Sequence, residues 1–148
     1  MNNSQLITQI SNNYGAQSVV IAVDYRKVFM RGLKIFYKSG TKIYNEKITD
    51  FVKRMENLGA GEIILTNIEK EGTFSGYDID FIETITKTTS LPIVVNGGVN
   101  SIANMKKAIY EARASAVAGS SFFVYKNNNT NSILINYPRQ YELKNELY

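Results

Sequence analysis

Cysteine, histidine and tryptophan do not occur among the 148 residues. Without thiols or imidazoles the chain can form no disulfide, no zinc site built on Cys or His, and no Ser-His-Asp or Cys-His nucleophilic arrangement. Acid–base chemistry falls to carboxylates, lysines and tyrosines, and neither a metal nor a cofactor is expected. Proline occurs twice, at Pro92 and Pro138, so little in the chain forbids regular structure. No apolar stretch approaches the roughly 20 residues of a membrane span, and the polar opening MNNSQ is no signal peptide. The sequence therefore predicts a cytoplasmic protein that engages no membrane. Lys and Arg number 17 against 13 Asp and Glu, a net +4, but they are scattered without a basic run of five. That distribution argues against nucleic acid and fits a solvated surface or a preference for anionic small molecules.

Hydrophobic residues make up 44% of the chain, with charges of both signs interspersed, as in a folded single domain over residues 1–148. Leu6, Ile7 and Ile10 recur at helical spacing before Tyr14-Gly15, and the β-branched run Val19 to Val23 reads as a strand buried on both faces, ending at Asp24. Residues 28–44 alternate around the turn Ser39-Gly40, which predicts an inserted β-hairpin. Ile48, Phe51, Val52, Met55 and Leu58 mark one face of a helix closed by Gly59. The strand Glu62 to Thr66 leads into an eleven-residue loop, and Ile79, Ile82 and Ile85 mark the next helix. A strand follows at Ile93 to Val95, then the turn Gly97-Gly98 and a helix capped by Ser101 that carries Ile102, Met105, Ala108 and Ile109. A small-residue strand, Ala114 to Ala118, stops at Gly119-Ser120; a stretch over Ile133 to Asn136 and a helix after Pro138 complete the order. Strands alternating with helices imply right-handed crossovers and an α/β fold with a parallel sheet.

Crossover helices run all the strands the same way, so their carboxyl ends open onto one face. Asp24, Thr66-Asn67, Asn96-Gly97-Gly98 and Gly119-Ser120 are predicted to share that mouth. Glycines at the ends of the last two strands let backbone N–H groups approach an anion closely, which suits a phosphate. Gly72 can add a third N–H from the neighbouring loop, while Glu69 and Glu71 would repel a phosphate and are better suited to orienting loop backbone or substrate hydroxyls. Asp24 is the candidate acid–base group, with pairing to Arg26 or Lys27 as its structural alternative. Lys42, Tyr25 and Tyr77 are possible assistants that nothing in the sequence ranks.

The segments VVIAVD, the hairpin ending in SG, GAGEIILTNIEKEGTFSGYD, PIVVNGGV and AVAGSSF occur in this order from about residue 4 to about residue 125. Together they resemble the carboxyl-terminal half of the cyclase subunit of imidazole glycerol phosphate synthase. The resemblance implies a parallel β/α barrel of the TIM type, here as its carboxyl-terminal half of four β/α units with an inserted β-hairpin; a full barrel takes about 250 residues. It also implies a glutaminase partner that supplies ammonia, a phosphorylated small-molecule substrate, and lyase or cyclase chemistry in histidine biosynthesis. By the same resemblance Asp24 matches a catalytic aspartate, Gly72, Gly98, Gly119 and Ser120 match a phosphate site, Glu71 stands where aspartate is usual, and Glu62 matches a residue of the ammonia gate. The tail SILINYPRQYELKNEL is more similar to a paralogous branch linked to lipopolysaccharide and other surface-polysaccharide synthesis, where ammonia amidates a sugar. A half-barrel exposes edges and core, so self-association or a complementing half is expected. The alternative function is a non-catalytic phosphate-binding half-barrel.

Overall fold

The computed structural model describes residues 4–125, 133, 135 and 137–147. The predicted stretch over 133–136 lies partly outside these residues and the Asn-rich run 126–131 wholly so. Helix α1 (Gln5–Tyr14) stops at Gly15, whose φ of 89° few other residues adopt and whose N–H bonds Ser11 O. A 3₁₀ turn leads into β1 (Val20–Val28), which is followed by β2 (Gly32–Tyr37), β3 (Lys42–Tyr44), α2 (Ile48–Asn57) and β4 (Glu62–Asn67). Then come α3 (Ile79–Thr86), β5 (Ile93–Asn96), α4 (Ile102–Tyr110), β6 (Ala116–Val117), the single turn α5 (Ser121–Val124) and α6 (Gln140–Glu146).

The strands form one sheet in the order β3-β2-β1-β4-β5-β6, parallel across β1, β4, β5 and β6 and antiparallel across β1, β2 and β3. The predicted α/β architecture with four parallel strands holds, with two corrections to it. β1 does not end at Asp24; it runs four residues further, because at Asp24 it exchanges partners. Asp24 is paired with Thr66 of β4 on one side and Phe36 of β2 on the other, and residues 25–28 continue along β2. The charges at Asp24, Arg26 and Lys27 mask that continuation in the sequence. The hairpin is therefore an extension of the first strand, and it covers the upper half of the β1 edge that was expected to be unpaired. The fourth parallel strand is also shorter than expected, Ala116–Val117 in place of Ala114 to Ala118.

One face of the sheet carries the core. Val23, Tyr25, Ile63, Leu65, Ile93 and Val95 are each 2% exposed or less. They pack under Phe51, Val52 and Met55 of α2, Ile82 and Ile85 of α3, and Met105 and Ala108 of α4. The 3.6-residue spacing of those helix positions is what turns them onto the sheet. Glu56 at the end of α2 joins this layer to the start of β5, accepting hydrogen bonds from the Ser90 N–H (2.9 Å) and hydroxyl (2.5 Å) beside its ion pair with Lys53 (2.9 Å).

The opposite face is built of alternate residues in register. Ala22, Ile64, Val94 and Ala116 form one cross-strand row, Asp24, Thr66 and Asn96 the row above it, and Val20 and Glu62 the row below. Each of these residues is half-buried or exposed, and Val20 is 49% exposed. An all-parallel sheet is ordinarily covered on both faces; this is the face, opposite the helices, that would line the interior of a β/α barrel.

Candidate functional site

Three strand-end loops meet at the carboxyl rim. Asn67 closes β4 and turns its side chain inward to the helix layer, where Oδ1 accepts from the backbone N–H groups of Glu69 and Lys70, both at 3.2 Å. At 4% exposure it is buried, so Asn67 does not face the mouth as expected; Thr66 does. The loop it starts folds back over β5 and β6. Gly76 N–H donates to Gly98 O (2.6 Å), Lys70 Nζ to Gly76 O (3.0 Å), Tyr77 N–H to Asn104 Oδ1 (3.0 Å) and the Tyr77 hydroxyl to Ala118 O (2.6 Å).

This clamp brings Gly72, Gly98, Gly119 and Ser120 to one narrow cleft, with Glu71, Phe74, Val99 and Ser121 beside them. Among the described residues the N–H groups of Gly72, Gly98, Gly119 and Ser120 have no hydrogen-bond partner. A cleft edged by several free backbone donors and serine hydroxyls is chemically suited to an oxyanion. Gly98 and Gly119 are required by close approach as well as by chemistry. A Cβ at Gly98, where φ is 99°, would lie 2.8 Å from Gly76 O, and one at Gly119 would lie 2.3 Å from Val99 Cγ1.

Asp24 stands on the same rim but outside the cleft. Within its row it is separated from Asn96 by one strand, so the two lie roughly 10 Å apart at the usual interstrand spacing, and Gly97-Gly98 follows Asn96 directly. Burial pushes its carboxyl above the usual aspartate range. No ion pair to Arg26 or Lys27 occurs among the described residues; the Arg26 guanidinium instead stacks over the Phe36 ring, 4.2 Å from its centroid. Glu62 occupies the opposite, amino-terminal end of the same uncovered face.

Two of the possible assistants are placed where they cannot exchange protons with a ligand in the mouth. Tyr25 is on the helix side, packed against Phe81 at 4.8 Å between centroids, and burial drives its pKa upward. The Tyr77 hydroxyl is committed to Ala118 O, and burial, then the charge of Glu71, raise its pKa too. Glu69 accepts from Lys27 N–H of β1 at 3.4 Å, strand backbone and not the loop backbone expected. Glu71 departs from the expectation, since its carboxylate enters the cleft and accepts from the Ser120 hydroxyl. Lys70 and Asn104, which help build the clamp, were not singled out from the sequence, and Asn67 was expected in the mouth instead; the Asn67-x-Glu69-Lys70 spacing of an Asx turn was the signal that could have placed it.

A family model described as histidine biosynthesis protein matches residues 1–128. The imidazole glycerol phosphate synthase subunit HisF of Thermotoga sp. (strain RQ2) is 39% identical over 81% of this chain and 47% of its own length. HisF of Lactococcus lactis subsp. lactis (strain IL1403) is 35% identical over 83% of this chain and 48% of its own, and HisF of Metallosphaera sedula 34% over 82% and 48%. The chain spans about half the length of the curated relatives it matches. With four parallel β/α units, a glycine-built rim and a match over most of its residues, the chain belongs to the histidine biosynthesis protein family, as a HisF-like member.

Proposed function

We propose that this chain is the carboxyl-terminal half of an ammonia-accepting cyclase barrel in a glutamine amidotransferase system. In this reading Gly72, Gly98, Gly119 and Ser120 hold a substrate phosphate and Asp24 moves the proton. Glu62 lies on the ammonia path at the far end of the sheet, and a glutaminase subunit feeds that path. The observation that carries it is the meeting of those three glycines and one serine, from loops after β4, β5 and β6, in a single cleft. The names of the HisF relatives support the same chemistry. Within it, the tail SILINYPRQYELKNEL favours the sugar-amidating, surface-polysaccharide branch, whose phosphorylated substrates need the same cradle. Titrating inorganic phosphate into the isotope-labelled chain tests the cradle. The amide resonances of Gly72, Gly98, Gly119 and Ser120 are expected to move together and saturate. Shifts elsewhere on the surface, with these four unmoved, would remove the reading.

The uncovered row Ala22, Ile64, Val94 and Ala116 favours a second reading, in which the chain is a phosphate-binding half-barrel that associates with another copy through that face. Sedimentation should then give a dimer or larger. Val94→Asp, which sets a charge in the middle of the row, should give a monomer with intact circular dichroism. A native chain that sediments as a compact monomer rejects this reading and leaves the first in place.

A further inference from the structure

We propose that Glu71 is a resident anion in the cradle, and that a phosphate enters only by displacing its carboxylate from Ser120; this rests on the reading of the cleft as a phosphate site. The Ser120 hydroxyl carries a single proton to donate. In the structure that proton is directed at Glu71 Oε1, so carboxylate and phosphate compete for one donor and cannot both hold it. With the carboxylate in place the cleft keeps about 10 Å³, room for about one water. No salt bridge to Glu71 occurs among the described residues. The nearby Lys70 ammonium is bonded to Gly76 O at 3.0 Å and serves the loop instead. The negative charge of Glu71 therefore stands uncompensated by a direct cation in a cleft whose other polar groups are donors. Its displacement is local: Glu71 and Gly72 lie on the exposed part of the loop, and the φ of 75° at Gly72 is left-handed backbone that glycine adopts freely.

Such an occupant sets the threshold concentration at which the cradle fills, and it favours ligands that bring further contacts over free phosphate. Calorimetric titration of the full chain with inorganic phosphate at neutral pH, as wild type, Glu71→Gln and Glu71→Asp, tests the idea. Glu71→Gln keeps the shape and removes the charge, and its affinity should rise at least about tenfold, the effect of one like charge removed at contact distance. Glu71→Asp keeps the charge but withdraws it by one methylene, and should also bind more tightly than wild type, by less. If wild type binds and Glu71→Gln binds equally or more weakly, displacement is overturned while the cradle stands. If Glu71→Asp matches wild type and only Glu71→Gln is tighter, the charge acts from a distance and displacement is again overturned. If no form binds phosphate, the cradle reading and the resident anion fall together.

Discussion

Under the proposed function, Asp24→Asn is expected to make the chain more stable at neutral pH and to reduce ammonia-dependent turnover of the completed barrel by about 10²- to 10⁴-fold, the usual contribution of a positioned general acid or base. The two effects have one cause. Asp24 is partly buried between Phe36 and Thr66, and burial raises its carboxyl above 3.8. A native pKa above the unfolded value means that the native state holds more protons in the interval between them. Stability then falls as pH rises through that interval and stays reduced above it. Asparagine does not titrate. The titration-dependent part of the stability difference between variant and wild type should therefore be absent well below pH 3.8, open as pH rises from there to the raised native value, and persist at neutrality. Urea midpoints measured from pH 3 to pH 7 follow it. Stability gained together with activity lost would be the signature of a carboxylate that serves the proposed chemistry at a cost in stability. An Asp24→Asn chain that is less stable at neutral pH would mean that the carboxylate makes a structural contact; one that turns over at the wild-type rate would take Asp24 out of the reaction.

The parts of this fold that rest on periodicity were legible in the sequence, and the parts that rest on a change of partner were not. Ile48, Phe51, Val52 and Met55 announce their helix, because that pattern follows from one element facing one neighbour; Val19 to Val23 announces a strand, but its expected burial on both faces is not met, since Val19 and Val23 are buried while Val20 is 49% exposed. β1 beyond Asp24 has a second neighbour, β2, and its burial alternates around charged residues that read as a loop. The cleft was legible as a set of glycines at successive strand ends, since no other residue allows such close backbone approach. Its clamp was not, because Lys70 and Asn104 act through bonds to backbone that leave no spacing pattern, and only the Asx-turn spacing after Asn67 marked it. Glu71 was misplaced for a related reason. Electrostatics alone turns a carboxylate away from a bound anion, but a cleft rich in donors attracts one.

Gly97 and Gly98, adjacent and alike in sequence, are separated by the structure into different duties, and the difference predicts the largest stability loss in the molecule's rim. Gly98 lines the cleft. Gly97 has a φ of 96°, and a Cβ there would lie 2.4 Å from Asn67 O and 3.1 Å from both Asn67 C and Asn67 N. Those atoms are main chain at the end of β4, fixed by the parallel pairing of Thr66 with Asn96 and by the buried Asn67 turn. They cannot rotate away as a flexible side chain would. Gly97→Ala must either part β4 from β5 or distort the Asx turn, and adds the cost of left-handed backbone. Together these amount to about 2–5 kcal/mol. Gly72→Ala is the control: its φ of 75° carries the backbone cost, but the nearest atom to the new Cβ is Ser121 Oγ at 3.5 Å, an ordinary contact. Its loss should be only about 1–2 kcal/mol, the backbone cost alone. Thermal melting of both variants compares them directly. Equal losses would mean that β4 and β5 are not held at the separation that brings Gly97 against Asn67. The rim would then be too loosely set to keep Gly98 in register with Gly119 and Ser120 around the cleft.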